Sequence, residues 1–329
     1  MEITVDRDIL LKSLGHAYGI IEKKNALPIL SNVLIEAIDS KIKITTTDLD
    51  IIYSEEIPAI SVDKKGSTTT SANILYDILR KLLAGSKVAL SLKNENKLQL
   101  ISGNSKFNLL CITPDNFPLS NENFESDVFK INSQSLLKLL NKTKIAISND
   151  ETRHYLNGIF LHKSTFQNQT FLTAVSTDSH RLSHSSVSMN SDINFEPSIL
   201  PKKTVFQLIS LLENNSSEVE ISNNKSKIKF IINNSILISK VIDGKFPDYK
   251  KVIPQNNEKI LETNLSDFKN SIERVTSVSS DRKEGVKMLL TKDNLQLSVN
   301  SPNSGEGTEN IKANYNADQI SSGYIFWIL

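Results

Sequence analysis

The chain has 329 residues, with 38 basic and 37 acidic side chains, a formal net charge of +1 and 39% hydrophobic residues. This length corresponds to two or three globular domains, and the composition excludes an intrinsically disordered chain, which would combine low hydrophobicity with high net charge. The single cysteine, Cys111, excludes an intrachain disulfide and any CxxC metal site, and it favours a reducing compartment. The balanced charge excludes a uniformly basic surface but allows a basic face opposite an acidic one.

The amino terminus has the pattern of a folded domain rather than of a targeting segment. Acidic residues at positions 2, 6 and 8 interrupt any apolar run, so we expect neither a signal peptide nor a transit peptide. No stretch of 18 apolar residues follows, which argues against a membrane span. We therefore expect a cytoplasmic protein with no membrane contact.

An internal repeat organises the chain. Residues 5–14, 131–140 and 263–272 align at offsets of 126 and 132 residues. Each segment has a short extended run, then a polar residue suited to a helix N-cap, then apolar residues on one helical face. Leu10, Leu136 and Phe268 correspond, as do Leu14, Leu140 and Ile272. This periodicity predicts three copies of one unit.

The first two units each carry a second predicted helix, at residues 71–83 and 201–212, followed by a predicted hairpin at 88–102 and 219–234. On the first of these helices, Arg80 and Lys81 should face solvent. The stripe predicted to be buried consists of Ile74, Leu75, Ile78, Leu79, Leu82 and Leu83.

These patterns predict an α+β fold in which two helices cover antiparallel sheets in each unit. The predicted domains are residues 1–125, 126–253 and 254–329. Three complete units would need about 380 residues at this spacing, so we expect the third domain to be incomplete, with an aberrant C-terminal tail from about residue 321. An incomplete third sheet should expose Met288, Leu290 and Leu297 and leave this domain loosely folded.

Sequence motifs for catalysis are absent. The chain has no GxxxxGK[ST], GxGxxG, HExxH or GxSxG pattern, and its five histidines lack the spacing of metal ligands. We expect no catalytic residue, no metal and no cofactor. The densest polar cluster runs from Thr177 to Arg181. An alternative function is a small-molecule hydrolase or transferase that uses this segment, although side chains adjacent on an extended segment point to alternate faces.

Basic residues occur on all four predicted helices of the first two units. The set consists of Arg7, Lys12, Arg80, Lys81, Lys138, Lys142, Lys144, Lys202 and Lys203. On any one of these helices, the basic residues can be explained as ordinary charges on a solvent-facing side. Because repeated helices can share one surface, the same placement also favours sequence-independent contacts with phosphates.

Five separated motifs carry a family resemblance: LPILSNVLIEA at 27–37, TTTDLD at 45–50, RHYLNGIFL at 153–161, STDSHRL at 176–182 and IDGKFPDYKKVIP at 242–254. Together they resemble the β sliding clamps, the processivity subunits of bacterial DNA polymerase III. The resemblance implies three similar domains per chain, a head-to-tail homodimer ring around double-stranded DNA, and no enzymatic activity. It also implies binding of the replicative polymerase catalytic subunit, the clamp loader, repair polymerases and other proteins with a clamp-binding motif. A shortened, inactive clamp is a further alternative. With an incomplete third domain, we expect a weak ring and reduced peptide affinity.

The resemblance also assigns residues. The implied peptide-binding groove consists of Leu156, Thr177, Ser179, His180, Arg181, Leu182, Pro247 and Val252. The implied DNA contacts are Lys24, Arg153, Tyr155, Lys202 and Lys203. The implied dimer interface consists of Phe107, Leu109 and Val278. Two positions depart from the family pattern, since glycine is usual where Ser179 stands and arginine is frequent where Lys24 stands. A side chain at 179 should narrow the groove.

Overall fold

The computed structural model describes residues 1–21, 27–119, 124, 127–189, 194–213, 217–279 and 285–324. Within them the chain forms two compact units, Met1–Phe246 and Pro247–Leu329. The first unit contains the first and second repeats, and the second unit contains the third.

Where the structure describes it, the first repeat contains two α-helices and nine strands. Its elements are β1 (Glu2–Asp6), α1 (Arg7–Tyr18), β2 (Asn32–Ile38), β3 (Lys41–Thr47), β4 (Ile51–Pro58), β5 (Ser61–Lys64), β6 (Gly66–Ser71), α2 (Ala72–Lys81), β7 (Lys87–Asn94), β8 (Lys97–Ser102) and β9 (Ser105–Ile112). Strands β4, β3, β2 and β6 are neighbours in that order, and β9, β8, β7, β1 and β5 follow.

The second repeat has the same plan. Its elements are β10 (Phe129–Asn132), α3 (Ser133–Thr143), β11 (Gly158–Phe166), β12 (Gln169–Thr177), β13 (Leu182–Ser188), β14 (Ser198–Pro201), α4 (Lys202–Leu212), β15 (Glu218–Asn223), β16 (Lys227–Ile232) and β17 (Ser235–Lys240). The order β13-β12-β11-β14 reproduces the order β4-β3-β2-β6 of the first repeat. The predicted repeat is therefore present in the topology as well as in the sequence.

The third repeat has one α-helix and four strands within its described residues. They are α5 (Leu265–Thr276), β18 (Val286–Thr291), β19 (Asn294–Ser301), β20 (Gly305–Lys312) and β21 (Ile320–Tyr324). The sheet order β20-β19-β18-β21 again matches that of the other repeats. The position predicted for the start of an aberrant tail, residue 321, falls inside β21, which pairs with β18. The last five residues of the predicted tail, 325–329, lie outside the described residues.

Each repeat begins its first helix with the same local chemistry. The side chains of Asp6, Asn132 and Asn264 each accept hydrogen bonds from two backbone N–H groups of the first turn of α1, α3 and α5. These bonds satisfy donors that have no partner within the helix, which fixes where the helix begins. The predicted starts of all three first helices are thus confirmed.

One prediction about α2 was partly wrong. Leu75 and Leu79 are buried, but Ile74 and Leu83 are 53% and 83% exposed. The helix ends at Lys81, so Leu83 lies beyond the helical stripe, and Ile74 lies at the margin of its buried face. Arg80 and Lys81 are exposed, as predicted.

The predicted exposure of the third sheet was wrong for Leu297, which is fully buried, whereas Met288 and Leu290 are half-buried. Helix α5 packs against β19 and β20 and covers the face that carries Leu295, Leu297 and Val299. A single helix is therefore enough to bury the centre of this sheet.

Strand β17 of the second repeat pairs antiparallel with β4 of the first, from Ser235 opposite Glu55 to Ser239 opposite Ile51. This pairing joins the strands of the two repeats into one 13-stranded sheet. Helix α4 adds contacts to the end of α1, where Gln207 donates to the carbonyl of His16 at 2.6 Å.

No helix within the described ranges is long and apolar enough to span a membrane.

Candidate functional site

The polar cluster predicted at Thr177 to Arg181 is a tight loop between β12 and β13. Thr177 Oγ1 accepts the backbone N–H of Ser179 at 3.1 Å and donates to the carbonyl of Arg181 at 2.7 Å. Asp178 Oδ1 accepts the backbone N–H groups of His180 and Arg181, both at 3.0 Å. These bonds hold Ser179 at a φ of 77°, in the left-handed region.

The loop has a counterpart in the first repeat, between β3 and β4. Thr47 Oγ1 accepts the N–H of Leu49 at 3.0 Å, and Asp48 Oδ1 accepts the N–H of Ile51 at 2.7 Å. Leu49 has a φ of 79°, close to that of Ser179. The Thr-Asp pair therefore builds a recurrent turn, and the two loops differ in what their side chains contact.

Arg153 ties the second-repeat loop to a neighbouring segment, the 3-10 helix Glu151–Leu156. Its Nη1 donates to Ser179 Oγ at 2.5 Å, and its Nε donates to Asp150 Oδ2 at 2.8 Å. Asp150 was not predicted as a site residue. Its only sequence signal is its position at the N-cap of the 3-10 helix, where its side chain accepts the N–H of Thr152.

The hydrogen bonds of this loop disfavour catalysis by Asp178, Ser179 and His180. Burial raises the pKa of the Asp178 carboxyl, but bonds from the backbone of Arg181 and His180 and from the Arg181 side chain lower it more, so the net pKa lies below its usual range. The carboxylate therefore serves as an acceptor for the loop. The Ser179 hydroxyl accepts a bond from Arg153, an arrangement that does not activate a nucleophile.

The apolar residues assigned to the groove differ in their burial. Leu156 is 2% exposed and belongs to the core, whereas Leu182, the first residue of β13, is half-buried beside the loop. Pro247 and Val252 lie in the second unit, where both are exposed, Val252 by 66%. The first unit therefore places Leu182 together with Thr177, Ser179, His180 and Arg181.

Tyr155 is half-buried and packs closely against the backbone of the segment before Phe246. A Cβ built on Gly244 would lie 3.2 Å from the Cβ of Tyr155, and Gly244 has a φ of 137°. Phe246 is buried and stacks on Phe160 with ring centroids 4.9 Å apart. The glycine is therefore needed for the chain to pass Tyr155.

The lysines assigned to DNA contact have different partners. Lys202 Nζ donates to Asn149 Oδ1 at 2.5 Å on the surface. Lys203 Nζ instead donates to Asp48 Oδ2 at 2.5 Å and to the carbonyl of Ile20 at 2.7 Å, which links α4 to the first repeat. The Asp48 side chain is only 7% exposed. Lys203 therefore has a structural role at this junction, and Lys24 lies outside the described residues.

The two residues assigned to the dimer interface on β9 differ in their exposure. Leu109 is 8% exposed and belongs to the core of its own repeat, whereas the adjacent Leu110 is 85% exposed. Because side chains alternate along a strand, only one of these two leucines can face outward. Phe107 and, in the second unit, Val278 are both half-buried. Sequence reasoning did not single out Leu110, although the alternation of Lys106 and Asn108 with Phe107 and Leu109 places it on the polar face of β9.

The described residues contain no group of three or more His, Cys, Asp or Glu side chains that could hold a metal ion.

Comparison with known families assigns the whole arrangement. Models of the DNA polymerase III β subunit match the chain in three consecutive parts: the N-terminal domain at residues 1–121, the central domain at 130–248 and the C-terminal domain at 250–324. The chain belongs to the β sliding clamp family.

Individual members of the family are similar over almost the whole chain. The β sliding clamp of Caulobacter vibrioides is 34% identical over 98% of this chain and 87% of its own length. The solved sliding clamp of Bartonella birtlesii bound to griselimycin is 37% identical, with a TM-score of 0.93 over 98% of this chain and 87% of that one. The solved sliding clamp of Caulobacter crescentus is 34% identical, with a TM-score of 0.95, and the match covers 99% of this chain and 87% of that one.

The function of the chain follows from this membership. It is a DNA sliding clamp, a processivity factor of DNA replication. The resemblance read from five motifs and the α+β fold with a threefold repeat are both confirmed. The homologues imply an accessory protein rather than an enzyme.

Proposed function

We propose that two copies of this chain form a head-to-tail ring that encloses double-stranded DNA. The ring tethers the replicative polymerase catalytic subunit, the clamp loader and repair polymerases through the loop from Thr177 to Leu182. In this proposal the chain performs no bond chemistry and acts in the cytoplasm. The observation that carries the proposal is the pairing of β17 with β4, because it supplies a template for joining one repeat to the next.

The same join can be repeated between two chains. Strand β9 occupies in the first repeat the place that β17 occupies in the second, and β20 corresponds to β4. Beyond its pairing with β8, β9 meets β6 only at Cys111 and Ile112, so residues 105–110 have no second strand neighbour in the described structure. Strand β20 is the terminal strand of its sheet. Two such edges can pair by backbone hydrogen bonds.

Side chains near these edges suit such a contact. Leu110 and Ile74 are 85% and 53% exposed in the first repeat, and Val278 is half-buried in the third. Exposed apolar side chains beside a free sheet edge are typical of a protein interface. The proposed interface therefore keeps Phe107 and Val278 and adds Leu110.

The proposed peptide site rests on the loop between β12 and β13. Its backbone is fixed by its own hydrogen bonds, and Leu182 provides an apolar contact beside the polar groups of Thr177, His180 and Arg181. A preformed site with few polar groups around an apolar anchor is suited to short peptides. Pro247 and Val252 remain proposed contacts from the second unit.

The direct test is a reconstituted replication assay. Purified chain, clamp loader and polymerase are incubated with primed circular DNA, and product length is measured after a single round of priming. Long products that require both the chain and the loader support the ring. Turnover of a small substrate without loader would support the hydrolase or transferase alternative. If neither long products nor turnover were observed, the result would support an inactive clamp.

A further inference from the structure

Helix α4 presents an aromatic ring to solvent. Phe206 is 46% exposed, although the neighbouring Val205 and Leu208 are fully buried. The equivalent residue in the first repeat is Tyr76, since each stands five residues after the N-cap of its helix, Pro201 and Ser71. The repeat therefore provides an internal comparison for the environment of Phe206.

In the first repeat the ring is covered by a second ring. Tyr76 lies against Tyr18, with centroids 5.0 Å apart and planes inclined by 30°. The position equivalent to Tyr18 in the second repeat is Lys144, since each stands twelve residues after the N-cap of α1 or α3. The Lys144 Nζ lies 5.9 Å from the centroid of Phe206. An ammonium group has replaced an aromatic ring, which leaves part of the Phe206 ring accessible.

Positive charge is concentrated on the same two helices. Helices α3 and α4 carry four lysines and no acidic residue, and Lys144 follows directly. Of the four, Lys203 is paired with Asp48. Helices α1 and α2 carry four basic and two acidic residues, and α5 carries two of each. Within the described structure, Lys138, Lys142 and Lys144 form no ion pair with a carboxylate. The second repeat therefore offers the most positive helical face in the chain as described.

The same surface also carries a depression and exposed apolar side chains. A surface depression of about 410 Å³ on α3 is lined by Gln134, Leu137, Lys138, Asn141 and Lys142. Ile145 is 39% exposed in the 3-10 helix Lys144–Ala146 that follows α3. Alternation of lysines with exposed apolar and aromatic side chains is characteristic of proteins that bind single-stranded nucleic acids.

We propose that the surface formed by Phe206, Lys144, Lys138 and Lys142 binds single-stranded DNA. An unpaired base stacks on the Phe206 ring, and the lysines contact the adjacent phosphates. A duplex cannot use this ring in the same way, because its base faces are covered by neighbouring base pairs. The inference rests on the proposed DNA contacts of this repeat and adds a preference for unpaired strands.

The test compares two DNA probes on the full chain. A fluorescein-labelled dT12 strand and a 12-base-pair duplex are titrated at 50, 100 and 200 mM salt, and binding is followed by anisotropy. The Phe206→Ala substitution should weaken dT12 binding about 5- to 150-fold, which is the loss of affinity expected when one stacked base is removed. The same substitution should change duplex binding by less than about twofold. Replacing Lys138→Gln together with Lys144→Gln should reduce the dT12 salt slope by about 0.7 for each phosphate that is no longer neutralised.

Three controls define the result. Phe206→Trp keeps an aromatic face and should keep dT12 affinity, whereas Phe206→Leu keeps an apolar side chain without that face and should lose it. Phe166→Ala removes a ring that is 66% exposed at the end of strand β11, and should change the binding of neither probe. Circular dichroism of each variant checks folding, and Phe206→Leu decides the question if Phe206→Ala unfolds.

The proposal is overturned if Phe206→Leu binds dT12 as tightly as the parent chain, or if dT12 and duplex affinities fall equally. It is also overturned if Phe206→Leu keeps its affinity for dT12 and loses its affinity for a clamp-motif peptide, because Phe206 would then belong to a protein interface. The loading assay on primed circles is separate from these titrations. A chain that fails to load but retains the Phe206-dependent preference for dT12 would contradict the ring and support this inference.

Discussion

Arg153 donates a hydrogen bond from its Nη1 to the hydroxyl oxygen of Ser179, at 2.5 Å, and so joins the segment before β11 to the loop before β13. A glycine at position 179 has no side-chain oxygen and could not accept this bond. Ser179, which stands where the resemblance leads us to expect glycine, is thus the residue that holds Arg153. A guanidinium fixed by Ser179 and Asp150 is also less available to DNA than its sequence position indicates.

The conformation of Ser179 gives the first prediction. Ser179→Ala loses the acceptor and retains a φ of 77°, whereas Ser179→Gly loses the acceptor but adopts this φ without steric cost. We expect Ser179→Ala to lower the free energy of unfolding by about 1 kcal/mol more than Ser179→Gly. Urea unfolding followed by circular dichroism measures the difference. Equal stability of the two variants would show that the loop relaxes around residue 179.

Two adjacent lysines give the second prediction. Lys203→Met would leave the buried Asp48 carboxylate without its cation, so we expect it to destabilise the first unit by about 1–3 kcal/mol. Lys202→Met removes a surface bond to Asn149 and should change stability by less than about 0.5 kcal/mol. Differential scanning calorimetry of both variants tests the contrast. A similar destabilisation in both would mean that the contact with Asp48 does not stabilise the junction.

The same contrast changes how DNA binding should be tested. Because Lys203→Glu would also disturb the junction between repeats, Lys202→Glu alone is the informative variant. It should shorten residence on circular DNA and reduce the salt dependence of binding, by about 0.9 in slope when one phosphate is no longer neutralised. A salt slope identical to that of the parent chain would make Lys202 an ordinary surface charge.

The sequence was most informative where local chemistry decides structure. The N-caps Asp6, Asn132 and Asn264 and the two hairpins were predictable because capping and strand alternation act within a few residues. The alternation of Lys106 and Asn108 with Phe107 and Leu109 indicates the inward face of β9. The lack of a second strand neighbour at residues 105–110 was not predictable, because it depends on how β9 meets β8 and β6. The role of Lys203 was also hidden, because Asp48 is 155 residues away in the chain and meets it only through the pairing of β17 with β4.

The proposed peptide site gives a further prediction. Leu182→Asp should weaken binding of a clamp-motif peptide by more than about 1 kcal/mol, since a charge would replace an apolar anchor. Val252→Asp tests the contribution of the second unit in the same way. Ser188→Asp, on an exposed position at the far end of β13, is the matched control. Isothermal titration calorimetry in which Leu182→Asp binds like Ser188→Asp would remove Leu182 from the site.

Acid should weaken the third repeat through one ion pair. Two hydrogen bonds from Arg274 on α5, at 2.9 and 2.5 Å, lower the pKa of Glu309 on β20 from 4.5 to about 2. A depressed folded-state pKa stabilises the fold fully above the unfolded value, so this contribution is present above pH 4.5 and is lost as pH falls toward 2. Hydrogen exchange of α5 amides should therefore accelerate as the pH falls through this window, after correction for intrinsic rates. In Glu309→Gln this part of the pH dependence should vanish, and its persistence would assign it to other carboxylates.

The edge of β9 gives the last prediction. Leu110 is exposed at the edge proposed to meet β20 of a second copy, whereas Leu109 is in the core, so the two residues must respond differently to substitution. Leu110→Asp should leave the fold intact and raise the dimer dissociation constant at least about tenfold, because a desolvated carboxylate would oppose an apolar contact. Ile101→Asp, on the neighbouring strand β8 and 37% exposed, is the control for added charge on this sheet. Analytical ultracentrifugation over a dilution series measures both constants. If the dimer survives Leu110→Asp but not Ile101→Asp, the interface lies on the face of the sheet rather than at its edge. The pairing seen between β17 and β4 would then not be repeated between two chains.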